Sequence, residues 1–403
     1  MNFKTLKDFD FKGKTVLLRA DLNVPTGEDY EITDTSRIDR LKPTIDHLRE
    51  QGARIILLSH FGRPGGTIKP AYSLKFILPA LKKSWGADVT FAEDCVGAPA
   101  QQLKASLQPG QIGLLENVRF HKEEEKNDKT FAQELAKHGD IYINDAFSAS
   151  HRAHASTEAL AHLIPAGAGF MVEAELKALH AALGNPEKPV AAVVGGSKIS
   201  TKLNILNNLV EKVDMLVLGG GMANTFMHAM GIDIKASLCE TDMVDQANAI
   251  MKKASHAGCE IIIPTDGAVD ITLKEKSVPA NFCSIHDVPK DHMILDIGPE
   301  TMDLIKQKLG TCKTVVWNGP LGAFETKPFD EGTKQIAQFV AAQTQAGKMK
   351  SVAGGGDTLA ALQISGAADK FTYVSTAGGA FLKWLEGKIL PGVAALCDLK
   401  NAA

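Results

Sequence analysis

Residues 14–25, KTVLLRADLNVP, place a short, largely apolar run directly before a polar turn. Such a run is typical of a strand in a parallel sheet that is covered on both faces. Similar runs recur at RIILLSH (54–60), IGLLENV (112–118) and DIYINDA (140–146), and helical patterns at 36–52 and 74–86 lie between them. This alternation predicts an α/β domain with a mostly parallel sheet.

A second βα series begins after a helical pattern at 171–185 and the prolines of NPEKP, where a helix cannot continue. Its strands are predicted at 190–196, 215–222, 260–266, 313–320, 350–356 and 372–379, with a helix at 201–213. We therefore predict two α/β domains, 1–172 and 190–389, joined by an interdomain helix and hinge at 173–189. The pattern leaves the tail, 390–403, unassigned.

The composition excludes several classes of protein. The net charge of −3 over 403 residues gives no overall basic footprint for nucleic acid or membrane. None of the six cysteines forms a CxxC pair, so neither a zinc site nor a redox motif is indicated. The sequence shows no signal-peptide core and no apolar run of membrane-spanning length, so we expect a cytoplasmic protein without a membrane partner.

All eight arginines lie within the first 152 residues. Arginine grips phosphate and carboxylate with a planar fork, so the split suggests that the two halves handle different ligands. If the strand ends converge, five side chains form a basic bowl, with Asp21 and Asn23 at its rim as hydrogen-bond acceptors for hydroxyl groups. The bowl consists of Arg37, His60, Arg63, Arg119 and Arg152 and suits a small hydroxylated polyanion such as a phosphorylated sugar acid.

The alternatives for single residues stay open at this point. A lone arginine at a strand end is more often part of a surface ion pair, and His60 could equally be a structural histidine. For Asp145 we favour a structural hydrogen bond. Arg19 lies on the same strand face as Asp21 but deeper in the sheet, so we do not assign it to the bowl.

Glycine-rich turns follow the strands of the second half. Gly196 precedes Lys198 and Lys202, which we expect to share one helix face and to reach one anion. Gly355, Gly356, Asp357 and Thr358 open another predicted helix, where the carboxylate suits Mg²⁺. The WNGPLGAFE stretch (317–325), with Asn318 and Pro320, is expected to supply an apolar wall and a carboxylate, Glu325, for ribose hydroxyls. Gly378 belongs to a further turn of this kind.

Two common nucleotide motifs are missing. There is no GxxxxGK[ST] sequence and no GxGxxG sequence after a strand, so neither a P-loop ATPase nor a nicotinamide dehydrogenase is supported.

As a set, these residues resemble the phosphoglycerate kinase family, in its bacterial type, over essentially the whole chain. The resemblance lies in RxDxNVP (19–25), SHFGRP (59–64), ENVRFHKEEE (116–125), HRAHAS (151–156), VVGGSKISTKL (193–203), GGGMANTF (219–226), WNGPLGAFE (317–325) and AGGGDT (353–358). One departure is Ala377, which stands where the family commonly has the first glycine of a triplet.

The resemblance implies two Rossmann-like three-layer domains, with the tail returning to the first one. It implies a site for 3-phosphoglycerate or 1,3-bisphosphoglycerate at Asp21, Asn23, Arg37, His60, Arg63, Arg119 and Arg152. It also implies a site for ATP or ADP with Mg²⁺ at Gly196, Lys198, Lys202, Asn318, Pro320, Glu325 and 355–358, with Asp357 towards the metal. Arg37, Lys198, Lys202, Gly355 and Gly378 would act on the phosphoryl group in transfer.

The implied reaction is reversible in-line phosphoryl transfer by a monomeric enzyme whose domains close about the hinge. Two alternatives remain: a kinase of the same architecture that acts on another carboxylic acid, and a non-catalytic nucleotide-binding protein. A protein that only binds a nucleotide has no need for Arg37 and Lys202 to act together on one phosphoryl group. Their presence argues against the non-catalytic alternative.

Overall fold

The structure is a computed structural model that describes residues 2–397. The chain divides into two compact units. One comprises the chain up to Leu176 together with the chain from Ile389 onward, and the other comprises Lys177–Lys388. The predicted boundaries at 172, 189 and 389 stay predictions.

The first unit is built on a six-stranded parallel sheet in the order β3-β4-β2-β1-β5-β6. Its strands are β1 (Thr15–Ala20), β2 (Arg54–Leu58), β3 (Val89–Ala92), β4 (Ile112–Leu115), β5 (Ile141–Asp145) and β6 (Ala166–Ala168). Its helices are α1 (Ser36–Glu50), α2 (Leu78–Trp85), α3 (Gly97–Ser106), α4 (Lys122–Glu125) and α5 (Lys129–Ala136). The sheet confirms the predicted α/β class, while β3 and β6 were not predicted from the sequence.

Both faces of this sheet are covered. Val16, Leu17 and Leu18 are consecutive on β1 and are all fully buried, although neighbouring side chains of a strand point to opposite faces. On one face the core includes Ile38 and Leu41 of α1. This two-sided burial explains why the strand reads as an apolar run without alternation.

The second unit contains a six-stranded parallel sheet in the order β15-β14-β13-β7-β8-β9. Its strands are β7 (Val190–Val194), β8 (Met215–Leu218), β9 (Glu260–Ile262), β13 (Thr314–Asn318), β14 (Lys350–Gly354) and β15 (Tyr373–Ser375). The helices after α6 (Phe170–Leu179) are α7 (Leu203–Leu209), α8 (Gly220–Ala229), α9 (Val244–Ala257), α10 (Pro299–Leu309), α11 (Glu331–Gln345), α12 (Gly356–Ile364) and α13 (Gly379–Leu385).

A small antiparallel sheet interrupts this series. It consists of β10 (Asp266–Asp270), β11 (Asn281–Ser284) and β12 (Met293–Ile297), in the order β11-β10-β12. The prediction of one strand over 260–266 was therefore wrong, because β9 ends at Ile262 and Asp266 begins β10.

The helical stretch predicted at 171–185 begins as α6 and continues as a π-helical turn over His180–Gly184. The first turn of α6 is fixed by Asp145, which lies at the end of β5. Its carboxylate accepts hydrogen bonds from the Thr44 hydroxyl at 2.7 Å and from the amides of Met171 at 2.8 Å and Val172 at 3.1 Å. Complete burial raises the pKa of Asp145 to about 6. As we expected, Asp145 has a structural hydrogen-bonding role.

The chain from Ile389 onward belongs to the first unit. The amide of Gly392, in α14 (Pro391–Ala394), donates a hydrogen bond to the Ser150 carbonyl at 3.0 Å. Leu396 is buried. Residues 398–403 of the predicted tail lie outside the described residues. Within residues 2–397, no helix is long and apolar enough to cross a membrane.

Replacing Asp145 by alanine would leave one hydroxyl and two amide donors without their acceptor. We expect the free energy of unfolding to fall by about 3 kcal/mol, since each unsatisfied buried donor carries a desolvation cost. The measurement is the midpoint of urea denaturation. The exposed Asp88→Ala, which removes a surface pair with Lys82, should shift stability by less than ~0.5 kcal/mol. Equal effects of the two substitutions would contradict the role given to Asp145.

Candidate active site

The polar residues of the first unit follow the adjacent strands β1, β2 and β5 at their carboxyl ends. After β1, both carboxylate oxygens of Asp21 accept hydrogen bonds from Arg37 Nη1 at 2.8 Å. Ser148, just after β5, donates its hydroxyl to Asp21 Oδ2 at 2.6 Å. Asp21 therefore holds Arg37, which opens α1, at this edge of the sheet.

Asn23 and Arg119 both hold the loop that follows β2. Asn23 Oδ1 accepts a hydrogen bond from the Gly62 amide at 2.8 Å, and Arg119 Nη1 donates to the Gly62 carbonyl at 2.9 Å. Gly62 has φ +61°, and a Cβ atom there would lie 2.4 Å from the ring of Tyr72. Only glycine fits this loop without strain.

His60 lies beneath this edge and is buried. Arg19 Nη2 approaches His60 Nδ1 at 3.1 Å. An arginine nitrogen can only donate, so Nδ1 is the acceptor and the neutral imidazole carries its proton on Nε2. Burial, followed by the positive charges of Arg19 and Arg119, holds the pKa of His60 well below its usual value. His60 is therefore a neutral N–H donor at physiological pH.

The other three arginines of the predicted bowl differ in their surroundings. Arg119 is buried, and its Nε lies 3.3 Å from Glu125 Oε1 in an ion pair without hydrogen-bond geometry. Burial lowers the pKa of Arg119 to about 10, so it stays charged at neutral pH. Arg152 donates from Nε to His151 Nε2 at 3.1 Å. Arg63 is exposed.

The sequence did not indicate the support beneath the bowl. Arg19 is buried and donates from Nε to the Ser156 hydroxyl at 2.8 Å. That hydroxyl donates in turn to Glu124 Oε1 at 2.6 Å, and the Ser156 amide donates to Oε2 at 2.9 Å. Burial raises the pKa of Glu124, against the effect of Arg19. A glutamate within HKEEE resembles a solvated helix residue, so only the structure identifies this chain of contacts.

In the second unit, the strand order reverses between β7 and β13. In open α/β sheets, ligands bind at such a reversal. Lys202 Nζ donates hydrogen bonds to the carbonyl of Gly195, just after β7, at 2.7 Å and to the carbonyl of Asn318, the last residue of β13, at 2.9 Å. Burial lowers the pKa of Lys202 to about 8, although Asp357 acts in the opposite direction.

The prediction that Lys198 and Lys202 share a helix face was wrong. Helix α7 begins only at Leu203, and Lys202 is its capping residue with φ −124°. In the preceding turn, Glu240 accepts hydrogen bonds from the Ser200 hydroxyl at 2.6 Å and from the Ser200 amide at 2.9 Å. Lys198 is exposed.

Glycines allow the loops at this edge to pack backbone against backbone. A Cβ atom on Gly195 would lie 1.7 Å from the Pro320 carbonyl oxygen, and one on Gly319 would lie 2.2 Å from the Gly195 oxygen. Gly196 and Gly355 have φ values of +135° and +106°, which side-chain-bearing residues rarely adopt. Gly195 and Gly319 are buried, whereas Gly196 and Gly355 are half-buried and leave part of their backbone accessible. Together these four glycines form a closely packed floor beside Lys202.

Asn318 and Thr358 link two parts of this floor. Asn318 Nδ2 donates to the Gly354 carbonyl at 2.7 Å, while its Oδ1 is buried without a hydrogen-bond partner. The Gly319 amide donates to the Thr358 hydroxyl at 2.7 Å. The orphaned Oδ1 is a polar group that a ligand donor could satisfy.

The remaining predicted nucleotide residues lie at the surface or in turns. Glu325, Gly356 and Asp357 are exposed, with Asp357 in the first turn of α12. Gly378 has φ +41° and precedes α13. Trp317 does not contribute to the apolar wall expected from residues 317–325. Its ring is buried in the core against Phe371, and its Nε1 donates to the Gly319 carbonyl at 2.7 Å.

Comparisons with known proteins identify the family and support the fold. The family described as phosphoglycerate kinase matches residues 6–388. The phosphoglycerate kinase of Rhodospirillum centenum is 57% identical over 98% of this chain and 100% of its own length, and that of Ruegeria sp. is 56% identical with the same coverage. The solved structure of phosphoglycerate kinase from Coxiella burnetii has a TM-score of 0.91 at 42% identity and covers 98% of this chain and 99% of that one.

The chain belongs to the phosphoglycerate kinase family.

Membership confirms the resemblance seen in the motifs and makes the chain a phosphotransferase, a kinase of glycolysis. A solved phosphoglycerate kinase from Pyrococcus horikoshii, with 31% identity and a TM-score of 0.79, covers 97% of this chain and 98% of its own. The family fold therefore extends to relatives of low identity. The roles of individual residues stay predictions.

The lowered pKa of Lys202 predicts a pH dependence. Below about pH 8 its ammonium is charged and can pair with phosphate, and above that pH it becomes a neutral amine. We expect kcat/KM for ATP to fall as pH rises through about 8, since this parameter reports the free enzyme. In Lys202→Arg the fall should move to higher pH because guanidinium stays charged.

The matched control is the exposed Lys348→Arg, which should keep the wild-type profile. If kcat/KM for ATP fell at the same alkaline pH in Lys202→Arg as in the wild type, the titrating group would be a residue other than Lys202.

Proposed function

We propose that this chain catalyses the reversible, in-line transfer of a phosphoryl group between 1,3-bisphosphoglycerate and Mg-ADP, giving 3-phosphoglycerate and Mg-ATP. The observation that carries the proposal is the half-buried Lys202 amine between the ends of β7 and β13, beside a floor of glycines. A partly desolvated cation next to accessible backbone at Gly196 and Gly355 suits the phosphates of a nucleotide.

The first unit supports the acceptor side of the proposal. Arg37 and Arg119 offer charged donors, and neutral His60 offers an N–H donor on Nε2. Asp21 and Asn23 hold these groups and offer acceptors to a hydroxyl. Charged donors together with acceptors suit a small acid that bears a phosphate and a hydroxyl. We assign the glycerate site to this set together with Arg63 and Arg152.

The donor set of the second unit fits Mg²⁺ with a nucleotide. Asp357 is an exposed carboxylate in the first turn of α12, beside the positive-φ Gly355, and Mg²⁺ takes few protein oxygens in addition to phosphate oxygens. We propose that Asp357 holds the metal, that Thr358 and Gly356 lie against the phosphates, and that Glu325 meets the ribose. When bound, Mg²⁺ neutralises charge on the phosphate oxygens.

The residues of this chain would contribute position and positive charge. The acceptor carboxylate of 3-phosphoglycerate is ionised at neutral pH, so no side chain has to remove a proton. Arg37, Lys198 and Lys202 would bind the equatorial oxygens of the phosphoryl group in transfer, and Gly196, Gly355 and Gly378 would add backbone N–H groups. Asn318 and Pro320 would shape the nucleotide site through the contacts around Gly319.

Further parts of the proposal follow from family membership. We propose that the enzyme acts as a monomer in the cytoplasm, without nucleic-acid or membrane partners, and that hinge bending at 173–189 accompanies each turnover.

The test is a coupled assay with 3-phosphoglycerate, ATP and Mg²⁺, in which a dehydrogenase consumes the acyl phosphate and NADH. We expect turnover to stop when EDTA removes the metal and to return when Mg²⁺ is added. Arg37→Ala should lower kcat/KM by a factor of about 100 to 1,000, the cost of losing one preorganised donor.

The matched control is Arg40→Ala, on the exposed surface of the same helix, which should change kcat/KM by less than about twofold. Equal losses in Arg37→Ala and Arg40→Ala would contradict the role of Arg37. If another carboxylic acid replaced 3-phosphoglycerate at equal kcat/KM, the proposed substrate would be wrong.

A further inference from the structure

A cluster of three different metal-binding side chains lies in the first unit, outside the residues assigned to phosphoryl transfer. Asp94 and Cys95 follow the edge strand β3, and His121 follows the turn after β4. Because β3 and β4 are parallel neighbours, their carboxyl ends bring these segments together. One potential ligand atom from each residue lies within 4.8 Å of the other two.

The cluster is held in place by its surroundings. His121 Nε2 lies 2.8 Å from Asp94 Oδ1, and the Cys95 amide donates to the same oxygen at 2.6 Å. The His121 ring stacks on Phe131 with a centroid distance of 5.0 Å. Cys95 is buried, whereas Asp94 and His121 are partly exposed and leave a route from solvent. Fixed ligands with one open side are characteristic of metal sites that keep a position for water.

The ligand types select a class of metal. A thiolate, an imidazole and a carboxylate suit Zn²⁺ and its neighbours Co²⁺ and Ni²⁺, while Mg²⁺ prefers oxygen ligands alone. In a tetrahedral zinc site, nitrogen and oxygen ligands lie about 3.4 Å apart, so the contact between His121 and Asp94 would have to open by roughly half an ångström. Rotation of two partly exposed side chains can supply that movement.

We propose that Asp94, Cys95 and His121 form a binding site for one borderline transition-metal ion, of the Zn²⁺ class, that is separate from the Mg²⁺ that accompanies the nucleotide. Binding replaces the Cys95 S–H bond with a sulfur–metal bond and releases the proton to solvent, with no change of oxidation state. Water completes the coordination on the open side.

The experiment uses the full chain without a polyhistidine tag, freed of metal with EDTA and titrated with Co²⁺. We expect one equivalent to produce the near-ultraviolet absorption of a thiolate–cobalt bond, which added Zn²⁺ abolishes and excess Mg²⁺ leaves unchanged. His121→Gln can keep a hydrogen bond to Asp94 but lacks the imidazole ligand. The affinity of His121→Gln for Co²⁺ should be lower than that of the wild type by at least about tenfold, since replacing residues that only orient metal ligands already lowers metal affinity by that factor.

The matched control is His162→Gln. His162 Nε2 lies 2.8 Å from Glu158 Oε1, the same histidine–carboxylate distance as in the cluster, and this variant should bind Co²⁺ as the wild type does. Cys95→Ala should remove the absorption, but it alters a buried position, so His121→Gln decides the result. Absence of the absorption in the wild type, or its persistence in His121→Gln, would overturn the proposal.

Discussion

The constraint on which the rest of this structure depends is that both large sheets are parallel. Parallel strands bring all their carboxyl ends to one edge, so the loops after them meet even when they are distant in sequence. Asp21 and Ser148 are 127 residues apart and bond at 2.6 Å. Lys202 reaches the Asn318 carbonyl across 116 residues of chain. Each site is therefore assembled by sheet topology, and no local motif could build it alone.

Buried charge holds these edges in place. Arg19 is buried beneath His60 and reaches Glu124 through the Ser156 hydroxyl, so positive and negative groups are matched away from water. A buried ionic network of this kind contributes little net stability, but leaving one member unpaired is costly. The network instead determines the proton position on His60, because the donor from Arg19 occupies Nδ1. The Lys202 ammonium is also partnered within the protein, in its case by the backbone carbonyls of Gly195 and Asn318.

The fold class, and the polar residues that stand at the strand ends, could be predicted from the sequence because the apolar runs and the turns after them are local patterns. The strand at 15–22 and the helix at 36–52 were found almost to the residue, as Thr15–Ala20 and Ser36–Glu50. The antiparallel sheet was missed because β11 and β12 are short and only partly buried, so neither has a clear pattern. Helix α7 begins only after Lys202, next to a turn in which Ser200 bonds Glu240, 40 residues away, and no local rule reports that contact.

The two units offer different kinds of donor, and this difference matches the ligands proposed for them. In the first unit the donors are side chains with fixed forks, such as Arg37 and Arg119, which suit a compact acid whose charged groups must be placed individually. In the second unit the glycines at 195, 319 and 355 let the loops pack closely where a side chain would collide. The cationic donors there are lysines such as Lys202, which act on phosphate as point charges. The restriction of arginine to the first 152 residues agrees with the different ligands proposed for the two units.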